Sequence, residues 1–397
     1  MRVSTMGSYL SGLSLMQRMQ SAIDHTQKQI STGQTLLSPS DDPIAATRAL
    51  ELREALAGLA QFDRNAVVAK NRLSQEDSSL SSVNNVLQRV RELALQANNA
   101  TQSNETRSLI AVEMREHLDQ LMQIANQTDG NGRYLFAGNQ QDVAPVAKVG
   151  GTYNYNGDQG QRMIAIGPGR LVADSDAGDA VFFRIRSGNG DFVAAPDATN
   201  SGSGIIGTAS TVDPSAWVPG TYSVEFIDAT NFEVRDSLGV NVASGSHNDG
   251  EQIEFLGVAF ELNGDIAPGD RFIVQASPYQ DMFSSIDKLA TALAMPVAGD
   301  TASAAQTNVI NAELRYIDQA IGNVLDIRTQ VGSRLAGIES QVDSNASQAL
   351  ISNEVLAGIE DLDYAEALSR LSQQMTTLEA AQKSFVATQQ LSLFDYL

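Results

Sequence analysis

The sequence predicts an α+β protein: a long antiparallel helical bundle, in effect a coiled-coil rod built from both chain ends, with an inserted antiparallel β domain. Three observations predict it. Proline is missing from two long windows at opposite ends, Ile44 to Ala144 and Val297 to Leu397, and a mid-helix Pro would remove a hydrogen bond and clash with the preceding turn. Both windows carry apolar residues at three- and four-residue steps, the period of one helix face. Between them, from 146 to 279, the apolar residues come in short Val, Ile, Phe and Tyr runs separated by Gly, Asn and Asp, the punctuation of antiparallel strands.

The first rod helix opens in SPSDDP, residues 38–43, where Asp42 can cap the free amides and Pro43 takes the first helical position. Leu52, Leu56, Leu59 and Phe62 start its stripe, and Leu73, Leu80, Val83, Leu87, Val90 and Ala97 continue it. At ~1.5 Å per residue such a helix is about 80 Å long. After the polar break TQSNET a second helix, from about Ser108 to Asn126, places Ile110, Met114, Leu118 and Leu121 on one face, which makes an antiparallel hairpin. The segment NGRYLFAGNQ then brackets an apolar run between Gly132 and Gly138 and reads as a short strand leaving the helix, either core or an intersubunit contact.

Within the middle region strands are expected at Gly151 to Tyr155, Ala180 to Ile185, Thr221 to Ile227, Phe232 to Arg235, Gln252 to Phe260 and Asp270 to Gln275, with Asn200 to Gly207 a surface loop. The C-terminal window holds the most regular pattern. Ile310, Leu314, Ile317, Ile321, Val324, Val331, Leu335, Ile338 and Val342 alternate four- and three-residue steps, with Arg328 the one interruption, as in a coiled-coil seam whose partner is the long N-terminal helix.

The outermost segments, 8–34 and 364–390, carry stripes of their own. Leu13, Met16, Ile23 and Ile30 form one, with Gln20 and Gln27 at the intervening positions; Leu368, Leu371, Met375, Leu378 and Phe385 form the other, interrupted by Gln382 and Gln389. Isolated helices of this length are marginal in water, so these faces need partners. They can pack on each other, on neighbouring copies, or both, because a two-helix seam leaves its flanks open. Leu393 and Phe394 continue the apolar character to the end of the chain and are expected to be covered. The division expected is 1–39 with 361–397 as a terminal helical domain, 40–145 with 280–360 as the rod, and 146–279 as the insertion.

Lys and Arg number 26 against 47 Asp and Glu, a formal charge of −21, which argues against nucleic acid and anionic membrane as partners. The first residues lack the continuous apolar region of a cleaved secretory signal, and cysteine is absent. No catalytic, cofactor or metal site is expected. His25, His117 and His247 have no paired ligand spacing and read as solvated or satisfied side chains. DSDAGD, Asp174 to Asp179, lacks the glycine position and the distal Glu of a calcium loop and reads as a solvated turn.

Together the helical ends, the inserted β region and the SPSDDP turn resemble the flagellin superfamily. The MRVST start, RYLFAG at Arg133 to Gly138, and the end running from Asp363 to Leu397 are similar to its hook-filament junction branch. That resemblance implies a non-enzymatic structural subunit of the bacterial flagellum, with terminal segments forming an inner tube, the rod around it and the β domain outward. It implies a homo-oligomeric ring between an adjacent junction protein and flagellin, a cytoplasmic export chaperone on the C-terminal segment, and export through the flagellar type III channel to an extracellular location. Leu13, Met16, Ile23, Ile30, Leu368, Leu371, Met375, Leu378, Phe385, Leu393 and Phe394 are the expected assembly interface. Flagellin itself, or an adhesin with helical anchoring, are the alternatives.

Overall fold

A computed structural model describes residues 5–394, with helices at both ends and strands in the middle. The helices are α1 (Thr5–Thr32), α2 (Pro43–Ala97), α3 (Asn104–Ala125), α4 (Met282–Ala294), α5 (Asp300–Glu360) and α6 (Tyr364–Phe394). The chain divides into two compact units, Met1–Arg64 with Gln341–Leu397, and Asn65–Ser340.

In the first unit α1 stops at Gly33, whose φ of 73° is the left-handed conformation that ends helices without strain only at glycine. The Gly33 N–H donates to Gln29 O at 2.8 Å, and the turn that follows is tied to the α5–α6 turn by Thr35 N–H to Glu360 O (2.7 Å) and Leu362 N–H to Gly33 O (3.0 Å). The SPSDDP turn behaves as its residues dictate. Asp42 Oδ1 accepts the N–H groups of Ile44 and Ala45, both at 3.0 Å, and Pro43 is the first residue of α2. Asp41 Oδ2 accepts the Ser38 N–H at 2.9 Å and the Leu37 N–H at 3.0 Å. Those amides, Ser38's first, hold its carboxyl below the usual range. Arg53 pairs with Glu360 at 2.9 Å and Asn345 donates to Asp63 at 3.3 Å, so α2 and α5 run antiparallel here.

The same pairing direction holds in the second unit, through Lys70–Glu339 (2.7 Å), Asp77–Arg328 (2.9 Å), Arg91–Asp318 (2.6 Å) and Asn98–Asn311 (3.1 Å). Leu73, Leu80, Val83, Leu87 and Val90 are buried on α2, and Ile310, Ile317, Val324, Val331 and Ile338 on α5, as the seam requires. Arg328 interrupts the apolar series because it turns aside to Asp77. Helix α3 begins at Asn104 rather than near Ser108, since Ser103 caps it by accepting the Thr106 N–H at 3.2 Å. Arg89 joins α2 to α3 through Glu113 at 2.7 Å, completing the antiparallel hairpin.

Helix α4 falls in the stretch 280–360 expected to be rod, as a short helix of its own ahead of α5. Asp281 caps it by accepting the Ser284 N–H at 2.6 Å, and its face of Met282, Phe283, Ile286, Leu289, Ala290 and Leu293 is buried, with α3 as its principal neighbour.

The RYLFAG segment corrects the expectation of a strand. It makes one isolated bridge, Thr128 with Tyr134, while Leu135, Phe136 and Ala137 are fully buried in irregular backbone. Its amides go to scattered acceptors, Tyr134 N–H to Gln141 O (2.8 Å) and Leu135 N–H to Gln127 O (3.0 Å), so no ladder forms. Gly138, at φ 66°, then turns the chain where a Cβ would overlap the Asp158 carboxylate.

The strands are β1 (Val146–Val149), β2 (Thr152–Tyr155), β3 (Met163–Gly167), β4 (Arg170–Ala173), β5 (Ile185–Arg186), β6 (Phe192–Pro196), β7 (Ile205–Thr211), β8 (Thr221–Phe226), β9 (Asn231–Asp236), β10 (Asn241–Ser246), β11 (Gln252–Phe255), β12 (Val258–Asn263), β13 (Arg271–Ala276) and β14 (Tyr279–Gln280). A five-stranded antiparallel sheet, β10-β9-β8-β13-β6, and a three-stranded one, β11-β12-β7, share one core. Alternate residues of β8 (Tyr222, Val224, Phe226) meet Phe192, Phe272, Phe255 and Phe260 there. The expected run from Gln252 to Phe260 is a hairpin turning at Leu256 (φ 45°) and Gly257 (φ 76°), with Phe255 opposite Val258. The expected loop at Asn200 to Gly207 gives way to β7 at Ile205.

The expected strand from Ala180 to Ile185 is instead a single π-helical turn, Asp179–Phe183, followed by the short β5. Neighbours in a strand point to opposite faces. Here Val181 and Phe182 are both fully buried, with Phe182 edge-on to Phe136 at 5.2 Å and against Phe283 at 5.8 Å, which a helical turn allows.

Strand β7 is the outer strand of its sheet, and α5 closes that edge. Asn308 accepts the Ile206 N–H and donates to Gly204 O, both at 2.8 Å; Asn311 donates to Ile206 O at 3.2 Å and Arg315 to Gly207 O at 2.9 Å. Two side-chain amides and a guanidinium thus satisfy backbone groups that would otherwise seek another strand.

Candidate assembly interface

Helices α1 and α6 pack against each other as a pair. Thr26 Oγ1 donates to Gln374 Oε1 at 3.0 Å, and the Tyr9 and Phe385 rings lie 5.4 Å apart. Gly12 faces Phe385 so closely that a Cβ would come within 2.8 Å of the ring. Ile23 is 6% exposed and Ala367 fully buried, marking the line where the two backbones approach.

Only part of each stripe enters this contact. Of the expected interface residues Ile23 is buried; Met16, Ile30, Leu371, Leu378 and Phe385 are half-buried; Leu13, Leu368 and Met375 are exposed, the last two by 53% and 55%. The side chains of Leu393 and Phe394 lie outside the described residues. Ile23, Leu368, Leu371, Met375 and Leu378 line an open groove with Gln20 and Gln27. Met6, Leu10 and Leu15 on α1 and Val386 on α6 are also exposed. Long helices with this much apolar side chain in water are incomplete as a hydrophobic unit.

A second polar site was missed by the sequence reading. DSDAGD is not a solvated turn: Asp174 is fully buried, and Ser175, Asp176 and Ala177 nearly so. Asp174 Oδ2 meets Arg162 Nε at 2.8 Å and Arg72 Nε at 3.0 Å, and Arg72 also pairs with Asp129. Asp176 takes a two-pronged contact from Arg334, both bonds 2.9 Å, and a 2.6 Å bond from Gln161. Glu76, fully buried on α2, accepts the Asp176 N–H at 2.9 Å through Oε1, while Oε2 has no partner. Burial, then the neighbouring Asp176 charge, push the Glu76 carboxyl up to about 8. No local motif could have announced this cluster, because its arginines come from positions 72, 162 and 334.

The histidines divide. His25 Nε2 is 3.3 Å from Asp41, and His117 Nδ1 is 3.3 Å from Gln120. His247 is not solvated: it is 2% exposed, lies edge-on to Phe226 at 6.0 Å, and burial pushes its pKa down. Among the described residues no group of three or more His, Asp or Glu side chains is placed to hold a metal ion, and no helix is long and apolar enough to cross a membrane.

The helical ends match two family models. Residues 3–141 match the bacterial flagellin N-terminal helical region and residues 314–397 the bacterial flagellin C-terminal helical region. A crystal structure of FlgL from Xanthomonas campestris is 37% identical with a TM-score of 0.73, the match covering 77% of this chain and 99% of that one. A crystal structure of flagellar hook associated protein-3 from Legionella pneumophila is 31% identical with a TM-score of 0.75, over 78% of this chain and 98% of that one. The chain belongs to the flagellar hook-associated protein 3 family. The family likeness extends over the insertion, since the flagellar hook-associated protein 3 of Salmonella typhimurium is 25% identical over 99% of both chains. Membership makes this chain a structural component of the flagellum.

Proposed function

We infer that the chain is the non-catalytic adaptor that joins the flagellar hook to the filament, and that it assembles through the open flanks of α1 and α6. The observation that carries this is the α1–α6 pair itself: a helix pair with a formed seam and apolar residues left over on both sides. Membership in the hook-associated protein 3 family supplies the setting in which such flanks become covered. Copies of the chain form a homo-oligomeric ring, with another junction protein on the hook side and flagellin on the filament side. In that ring residues 1–39 and 361–397 make the inner layer, 40–145 with 280–360 the layer around it, and 146–279 faces outward. The subunit reaches this extracellular site by the flagellar type III channel, with a cytoplasmic chaperone on its C-terminal segment beforehand.

Gold-labelled antibody on isolated flagella tests the assignment. Label confined to a narrow band at the distal end of the hook is expected. Label along the whole filament would mean a flagellin, and label retained at the cell surface without flagella would mean an adhesin.

A further inference from the structure

The buried ionic cluster of the second unit joins three stretches that are far apart in sequence: α2, through Arg72 and Glu76; α5, through Arg334; and the segment 174–178 that runs between β4 and the π-helical turn. Three guanidinium groups, Arg72, Arg162 and Arg334, face three aspartates, Asp129, Asp174 and Asp176. Glu76 is the seventh charged-type group and has no guanidinium hydrogen-bonded to it. Without its proton a buried negative charge would be left with one backbone N–H as its hydrogen-bond partner and Oε2 bare.

The other charges around it do not offset that loss. Arg334 faces Glu76 from α5 but is already engaged by both oxygens of Asp176. Arg72, on its own helix, is held by Asp129 and Asp174. Arg328 of α5 is paired with the neighbouring Asp77, and Asp179 with Arg184 at 3.5 Å. Asp174 and Asp176 both act on Glu76 as like charges.

We propose that Glu76 is a proton-operated latch: protonated, it holds the segment 174–178 against α2 and α5, and its ionisation releases that segment while the helices stay folded. The segment is the element that yields because residues 174–177 belong to no ladder or helix. Its ties are the Glu76 bond to the Asp176 amide, the bonds of Asp174 N–H to Arg162 O (3.2 Å) and Gly178 N–H to Phe136 O (2.8 Å), Ala177 O accepting the Ala180 and Val181 N–H groups (3.0 and 3.3 Å), the Gln161 bond to Asp176, and the ion pairs above. The α2 backbone beneath it is one uninterrupted helix from Pro43 to Ala97.

The sign follows from proton linkage. A carboxyl whose closed-state pKa is raised to about 8 from an ordinary 4.5 binds its proton in the closed form and loses it on opening. Closure is therefore tightest at acid pH, and the opening equilibrium rises by up to about tenfold per pH unit as pH climbs between those limits, then levels off above the upper one.

Amide hydrogen exchange of the full chain between pH 5.5 and 9, corrected for the intrinsic exchange rate, reads this directly. The expected result is a rising opening equilibrium at 174–178 that levels near pH 8, with α2 amides unchanged, and a flat profile in Glu76→Gln. An infrared band from a protonated carboxyl, present at pH 6, lost at pH 9 and missing from Glu76→Gln, is the independent signature. A flat wild-type profile, an equal slope in Glu76→Gln, or a slope shared by the α2 amides would overturn the proposal.

Discussion

Leu368 and Met375 offer a clean separation of folding from assembly. Both lie on the predicted stripe of α6, yet each remains more than half exposed in the single chain, by 53% and 55%. Aspartate at either position should lower the stability of the isolated subunit by only about 1 kcal/mol, the worth of the part of the side chain already covered in the single chain. In the proposed ring the same position is covered. Burying the remaining half of a Leu or Met side chain is worth about 1 kcal/mol, and an unpaired charge in its place costs about 3–5 kcal/mol. The combined loss, about 4–6 kcal/mol per contact, weakens association by about a thousandfold or more. Circular dichroism melts of the purified subunit, with motility and the amount of protein on isolated hooks in a null strain, measure the two effects separately. Ile23→Asp is the control, because Ile23 is 6% exposed within the α1–α6 seam and should damage the subunit itself. Leu378 and Phe385, half-buried in the single chain, would mix the two effects. If Met375→Asp melts as low as Ile23→Asp, or incorporates at the wild-type level, the exposed flank is not the assembly surface.

Other changes test the second unit. Asn308→Ala leaves the Ile206 N–H and Gly204 C=O without their partners and should cost about 1–3 kcal/mol in a denaturant titration, with faster exchange concentrated in β7. Arg334→Met strips the two-pronged contact from the buried Asp176 and should cost about 3–5 kcal/mol; because it also removes a nearby cation, Glu76 should hold its proton to still higher pH. Gly138→Ala combines a φ of 66° with overlap onto Asp158 and should lower stability by more than about 1 kcal/mol, read as a fall in the thermal midpoint.

What the sequence disclosed follows the range of the interactions involved. The Asp42 cap with Pro43, and the seam from Ile310 to Val342, depend on neighbours within a turn or two, so they were legible by inspection. Helix α4 was equally local in character, with its Asp281 cap and its face at helical spacing, and went unnamed within the rod stretch 280–360 because Pro296 cuts it off from the regular C-terminal window. The Ala180 to Ile185 run has strand-like composition, but its conformation is decided by aromatic rings from Phe136 and Phe283. DSDAGD has the composition of a surface turn, and only the convergence of three distant arginines makes it interior. On α1 and α6 the spacing located both apolar stripes. It did not say which side chains would meet within the chain, since that depends on how the two helices rotate against each other.

The closure of the β7 edge by Asn308, Asn311 and Arg315 bears on how freely the insertion can be moved between proteins. A fragment cut at 146 and 279 would carry both packed sheets but leave behind the helix that occupies the outer hydrogen bonds of β7. Such a fragment would offer an open strand to its own copies and pair edge to edge. Grafts of this domain onto another scaffold therefore need residues 300–315 to travel with it, and during synthesis the sheet waits for the later-made helix before its last edge is sealed.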